Sequence, residues 1–435
     1  MPWYQFLSFN NNNITGGPGG SGVGDLLRRG ASLQKIVDAS ESPNSLDPLT
    51  ETSRYFDIIS FDPRGVSNTT PHINCFNTNF DRQKWLTSLD TIGNFGSSNV
   101  AFAQIFSHGI AFSETCSGRN SSLLSHMNTA PVVADIVALI EAHGRWREKT
   151  AKASLTYSEP KKLGGKSDSK EKVLARTAYK NGEEKLQYWG FSYGTLLGAT
   201  FASLQPSRVH RVIIDGVVNA TDYYEGKWLT NLQDTDQIVY KFGEYCHAAG
   251  PESCALWRKS PATVLQDLES ILNSIWENPI AVAGNELRGP EIITYSDVMK
   301  LIRDGLYHPI ENAEKIAMFV QDLSTRNGTA FADYKADLEK PDCDNWMGKE
   351  DDPDACAPDF DAPISSGVSC TDAVDHTTTT RSEFADRLAV LREQSKWMGN
   401  LWAEITLPCL GWKARPKWRF NSMPGQRFMT LSDVD

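Results

Sequence analysis

Apolar residues fall into short compact runs in the first half of the chain and into helical stripes in much of the second. Residues 55–62 (YFDIISFD) form a dense β-branched and aromatic run, which reads as a strand closed by the turn residues Pro63, Arg64 and Gly65. Residues 131–143 (PVVADIVALIEAH) carry apolar side chains at helical spacing, with Pro131 suited to a first turn. Residues 185–189 read as a second strand, 195–204 (TLLGATFASL) as a helix packed through small residues, and 209–214 as a third strand ending at Asp215 and Gly216. An earlier apolar run lies at 4–9. Strand, helix, strand, helix in this order predicts an α/β fold with a mostly parallel sheet covered on both faces.

The pattern changes near residue 224. Amphipathic stretches such as 261–276 and 382–397 dominate, punctuated by tryptophans at 228, 257, 276, 346, 397 and 402. The expected organisation is a core over 1–223, an inserted helical cap over 224–407, and a return to the core over 408–435. Residues 145–185, rich in Lys and Arg with little periodicity, read as an exposed, mobile excursion. The acidic, Pro- and Cys-containing stretch 340–362 reads as a loop.

At 435 residues the chain exceeds one compact core. A formal charge of −11 argues against nucleic acid or an anionic membrane as partner. No run approaches the roughly 18 apolar residues of a membrane helix. The first ten residues lack the parts of a signal peptide. The eight cysteines have no metal-site spacing, which predicts bridges or buried thiols and no metal; Cys246 and Cys254 could close a short loop. Asn-x-Ser/Thr sequons stand at Asn13, Asn68, Asn120, Asn219 and Asn327. Nothing in the sequence calls for a cofactor.

The chemistry centres on Gly190-Phe191-Ser192-Tyr193-Gly194, between a predicted strand and a predicted helix. Gly-x-Ser-x-Gly in that setting is the nucleophile elbow of an α/β-hydrolase. The serine must stand on a sharp, strained turn, and larger side chains beside it would strike strand and helix. The Tyr193 amide, at a helix start, supplies one oxyanion donor. Gly16 to Gly22 (GGPGGSG) follow the first apolar run, where this fold offers its second donor. Pro18 has no N–H, so the donor is Gly17 or Gly19.

GGPGGSG, FDPRGVSNTTPHINC, the long block around Ser192, CHAAGPESC, SCTDAV and PCLGW occur in that order. Together they resemble the tripeptidyl-aminopeptidase-like serine hydrolases of the proline-iminopeptidase superfamily. The resemblance implies an α/β-hydrolase core and cleavage of short peptides from peptide amino termini through an acyl-enzyme on Ser192. It also implies a cap that screens substrates by size, and a family often secreted. Asp62, Arg64 and Asp215 lie in its motifs as structural polar residues.

An active serine needs a histidine base and an orienting carboxylate, which in the resembled family follow the cap beyond the Cys409–Trp412 motif. Here no histidine follows Trp412, and the later carboxylates are Asp433 and Asp435. The nearest substitutes are Asp372 and His376, both in the predicted cap. The resemblance thus implies a chain clipped at both ends, with late core strands missing and apolar surface exposed. Three readings follow: a serine exopeptidase, an ester or amide hydrolase of a small metabolite, and a non-catalytic remnant that keeps the pocket.

Overall fold

A computed structural model of the chain describes residues 2–8, 17–39, 55–157, 167–339 and 361–420. Among the described residues four strands build one sheet: β1 (Pro2–Ser8), β2 (Tyr55–Ile59), β3 (Leu186–Phe191) and β4 (Val209–Asp215), in spatial order β2-β1-β3-β4. Every pairing is parallel, with Phe6 opposite Ile59 on one side of β1 and opposite Tyr188 on the other. Parallel neighbours need crossover connections, which the helices supply. The expected strands at 55–62, 185–189 and 209–214 are thus present, and the run at 4–9 contributes to β1. A small antiparallel pair, β5 (Ile280–Val282) and β6 (Glu291–Ile293), stands apart.

On the amino-terminal side the helices are α1 (Gly22–Val37), α2 (Asn79–Ile92), α3 (Ala101–Arg119), α4 (Ser121–Leu124), α5 (Thr129–Tyr157), α6 (Ser167–Thr177) and α7 (Tyr193–Leu204). After β4 come α8 (Ala220–Tyr224), α9 (Thr235–Ala249), α10 (Pro261–Glu277), α11 (Tyr295–Tyr307), α12 (Pro309–Ser324) and α13 (Thr329–Glu339). Then follow α14 (Asp361–Asp372), α15 (Arg381–Gln394) and α16 (Gly399–Ala403), continued by a 3₁₀ turn over Glu404–Gly411.

Two large apolar clusters divide the interior. One packs Val132 and Ile136 of α5 and Leu196 and Phe201 of α7 around Leu186 and Tyr188 of β3. The other is helical, joining Leu268, Val298, Phe319 and Phe384 with Ile105 and Phe106 of α3. The clusters interleave along the chain: α3 joins the helical cluster, whereas Ile364 and Val368 of α14 and Trp412 join the sheet cluster.

One expectation is corrected. Within 145–185, residues 145–157 and 167–177 are helical and not loop, because α5 runs on to Tyr157 and α6 covers Ser167–Thr177. Good helix formers such as Ala, Lys, Arg and Glu sustain these turns without an apolar stripe, so periodicity misses them. Arg147 fastens the segment, bonding Glu184 at 2.8 and 2.9 Å and the Thr177 carbonyl at 3.3 Å. Arg208 pairs with Glu141 across the same face. The loop expected at 340–362 lies outside the described residues up to Asp361, where α14 begins.

Disulfides join Cys75 to Cys116, Cys246 to Cys254, and Cys370 to Cys409. Strand β4 is the outer strand on its side of the described sheet, and Ile213, Ile214 and Val217 are 49%, 41% and 63% exposed. No helix among the described residues is long and apolar enough to cross a membrane.

Candidate active site at the carboxyl edge of the sheet

Ser192 stands between the last residue of β3 and the first of α7, with φ +51° and ψ −121°. An L-residue rarely adopts that geometry, and holding it costs on the order of 1–3 kcal/mol. The surrounding bonds enforce it. The Ser192 amide donates to the Asp215 carbonyl at 3.0 Å, stitching the turn to the end of β4. The Ser192 carbonyl accepts from the Thr195 amide at 2.9 Å and the Thr195 hydroxyl at 2.6 Å. Thr195 Oγ1 in turn accepts from the Val218 amide at 3.0 Å. The flanking glycine is required by space, since a Cβ on Gly190 would lie 2.4 Å from the Gly194 carbonyl oxygen. Tyr188 also donates its hydroxyl to that oxygen at 2.6 Å. The amides that open α7, Tyr193 first, have no partner within the helix and carry its positive pole.

Gly17, Pro18 and Gly19 lie in the loop that enters α1. Asp62, just past β2, anchors that loop. Its Oδ1 accepts from the Ser21 hydroxyl at 2.7 Å and the Val23 amide at 3.1 Å, and its Oδ2 from the Asn68 amide at 3.3 Å. Arg64 forms a fork with Asp135 of α5, two bonds of 2.7 Å, which hold its guanidinium above the usual range. Helix α14 lies directly on the glycine loop: Ser365 Oγ donates to the Pro18 carbonyl. Gly19, at φ +106°, sits so close that a Cβ would come within 2.8 Å of the Ser365 nitrogen. Because β1 lies between β2 and β3, the loop anchored beyond β2 and the elbow beyond β3 share the sheet's carboxyl edge, where open α/β sheets bind ligands.

Asp372 and His376 do not come together on Ser192. Asp372 is fully buried and accepts from Thr129, by amide and hydroxyl, and from the Tyr223 hydroxyl at 3.1 Å. Burial pushes its carboxyl up to about 6 despite those bonds. His376 donates Nε2–H to the Glu225 carbonyl at 2.8 Å, its ring pressed against Gly226. Burial lowers its pKa. Among the described residues no hydrogen bond joins either side chain to Ser192, nor does any other histidine bond there. Of the remaining histidines, His247 bonds the Arg258 carbonyl at 2.8 Å, and His308 lies 3.7 Å from Glu311.

A cavity of about 310 Å³ opens beside the glycine loop, with Pro18 and Ser365 on one wall and Trp85, His108, Trp402 and Glu404 on others; Pro18 is its contact with that loop, and Ser192 and Tyr193 are not among its lining residues. Glu404 is the one carboxylate among the described lining residues. Its Oε1 is buried without a hydrogen-bond partner, and burial pushes the carboxyl up to about 7 against the pull of Lys300 and Arg303. Arg303, also in the lining, is paired with Asp304 at 2.9 Å. His108 stacks on Trp85 with ring centroids 3.7 Å apart, and burial lowers its pKa. Sequence reasoning missed Glu404 and Ser365, because neither stands in a motif and only the fold brings them to the cavity wall. Among the described residues no cluster of three or more His, Cys, Asp or Glu is placed to hold a metal ion.

A parallel sheet, a strained serine at the strand–helix corner and a glycine loop beside it define the class. The family model for the alpha/beta hydrolase fold matches residues 35–332, and the chain belongs to that family. Among curated proteins it is similar to the tripeptidyl aminopeptidase of Streptomyces lividans, 28% identical over 47% of this chain and 27% of that protein. It is also similar to the serine protease Hip1 of Mycobacterium bovis, 24% identical over 68% of this chain and 45% of the relative. A putative hydrolase of Escherichia coli, YuaR, is 22% identical over 67% of this chain and 44% of its own length. The chain spans less than half the length of these curated relatives.

Proposed function

We propose that this chain carries the nucleophile, oxyanion and substrate-cavity parts of a serine exopeptidase acting at peptide amino termini. Ser192 Oγ attacks the scissile carbonyl. The Tyr193 amide and a glycine amide, Gly17 or Gly19, receive the oxyanion. The hydroxyl proton passes to the leaving amine as its C–N bond breaks and the acyl ester forms; water then attacks the ester, releasing the acyl fragment as an acid and returning a proton to Ser192 Oγ. The carrying observation is the Ser192 backbone at φ +51°, locked by Asp215 and Thr195 at the start of α7. The similarity to a tripeptidyl aminopeptidase and a serine protease supports a peptide substrate over a small ester.

Glu404 fits the amino-terminal preference. A substrate ammonium in the cavity would meet its unpartnered Oε1, while the aromatic walls of Trp85 and Trp402 would favour the cation further. Peptides with a free amino end should therefore be turned over in preference to their acetylated forms.

A second reading, a pocket that binds without turnover, is favoured by one observation: among the described residues no histidine hydrogen-bonds Ser192. A fluorophosphonate probe separates the two. Stoichiometric labelling of the folded chain, lost in Ser192→Ala, supports the hydrolase. Folded chain that stays unlabelled supports the binding protein. Preferential cleavage of simple aryl esters over tripeptide anilides would move the substrate to small metabolites.

A further inference from the structure

Asn327-Gly328-Thr329 occupies the tight turn between α12 and α13, and its surroundings differ from those of the other described sequons. The Asn327 amide donates to the Asp322 carbonyl at 3.1 Å. The neighbouring Arg326, at φ +64°, clasps the carbonyls of Asn278 and Pro279 at 2.6 and 2.9 Å. Gly328 is buried beneath, facing Val282, Ile293 and Ile280 of the small sheet. The turn is therefore a rigid pedestal, with Asn327 and Thr329 both exposed on it.

Asn327 Oδ1 accepts from the Thr329 amide at 3.2 Å, closing an Asx turn. Because a carboxamide is planar, turning Oδ1 toward the backbone turns Nδ2 away from it. Nδ2 has no hydrogen-bond partner among the described residues.

Asn68 and Asn120 are built the other way. Asn120 Nδ2 donates to the Asn74 carbonyl at 2.9 Å and the Cys116 carbonyl at 2.8 Å, using both its hydrogens to brace the Cys75–Cys116 link. Asn68 Nδ2 donates to the Asp62 carboxylate at 3.2 Å and faces Ser67 Oγ at 3.5 Å, beneath the glycine loop's anchor. A sugar on either nitrogen replaces a hydrogen that the fold uses. Asn219 is exposed, but its Oδ1 caps α8 through the Asp222 amide at 3.2 Å, so its sequon bends into a helix and forms no Asx turn. Asn13 lies outside the described residues.

Disulfides among the described residues mark a chain that matures where thiols are oxidised, the kind of compartment in which Asn-linked glycans are added. We infer that Asn327 is an N-glycan acceptor and that Asn68 and Asn120 are not. The donor is an oligosaccharide held on a lipid pyrophosphate. Asn327 Nδ2 loses a proton and bonds to the sugar's anomeric carbon, that carbon's bond to the pyrophosphate oxygen breaks, and the lipid pyrophosphate leaves.

The test expresses the full chain in yeast behind a leader that directs it to the endoplasmic reticulum. The disulfide-bonded, protease-resistant pool, secreted or microsomal, is treated with a peptide-N-glycanase in heavy-oxygen water, and labelled aspartates are mapped by mass spectrometry. Label at position 327, absent from 68 and 120, is the expected result. Asn327→Gln and, independently, Thr329→Ala should each abolish it and remove one glycan's mass. An unmodified Asn327 in that pool overturns the assignment, and so does a glycan on Asn68 or Asn120. This outcome is independent of whether Ser192 reacts.

Discussion

Asp372 receives two hydrogen bonds from Thr129, 3.0 Å from its amide and 2.5 Å from its hydroxyl. The same hydroxyl oxygen lies 2.6 Å from the Tyr193 hydroxyl, so a buried carboxylate on α14 helps position the residue after Ser192. Removing it with Asp372→Ala strands the Thr129 amide and the Tyr223 hydroxyl, which should cost on the order of 2–4 kcal/mol. Urea denaturation measures this, and a loss below about 1 kcal/mol would show that the network is incidental.

The same carboxylate gives a pH signature. Its folded pKa, about 6, is raised above the unfolded value, so folding favours the protonated form. Its contribution is fully present below about pH 4 and is lost as pH rises through about 6, on the order of 2–3 kcal/mol in all. Asp372→Asn should flatten that part of the stability–pH curve. An unchanged curve in the variant would assign the dependence elsewhere.

Ser192 carries backbone strain that only glycine relieves cheaply. Ser192→Gly should abolish fluorophosphonate labelling while raising stability by about 1 kcal/mol. Equal or lower stability than Ser192→Ala would mean that the turn is not strained.

Two helix- and strand-associated glycines should respond oppositely to alanine. Gly190→Ala drives a Cβ into the backbone of Gly194 and should destabilise by at least about 2 kcal/mol. Gly118, near the end of α3, has nothing within 4 Å of the new methyl, and Gly118→Ala should stabilise by about 0.5–1 kcal/mol. Thermal melts of the pair decide the matter.

For Glu404, burial sets the empty-site carboxyl near 7. If it holds the substrate ammonium, kcat/KM for free-amine peptides should fall as pH drops through 7, because the protonated acid loses its charge. Glu404→Gln should lower kcat/KM about 10- to 100-fold and remove that limb, with N-acetylated peptides little affected. A limb that persists in the variant would rule Glu404 out as the anchor.

Sequence alone determined what local sterics and short-range patterning control. The three strands near 57, 187 and 212 are dense apolar runs, and the elbow is written as Gly190, Ser192 and Gly194, where a Cβ on Gly190 would strike the Gly194 carbonyl. The amphipathic stretch 261–276, which forms α10, was equally legible from its periodicity. Tertiary structure decided the rest. Helices α5 and α6 extend on polar turns that no apolar stripe announces and that Arg147 secures from a distance. Asp372 and His376, four residues apart in sequence, are drawn to Thr129 and Glu225, since each buried polar atom takes whichever partner packing delivers. Glu404 becomes a candidate anchor only because the fold closes apolar walls around it, and desolvation depends on neighbours that the sequence does not place side by side.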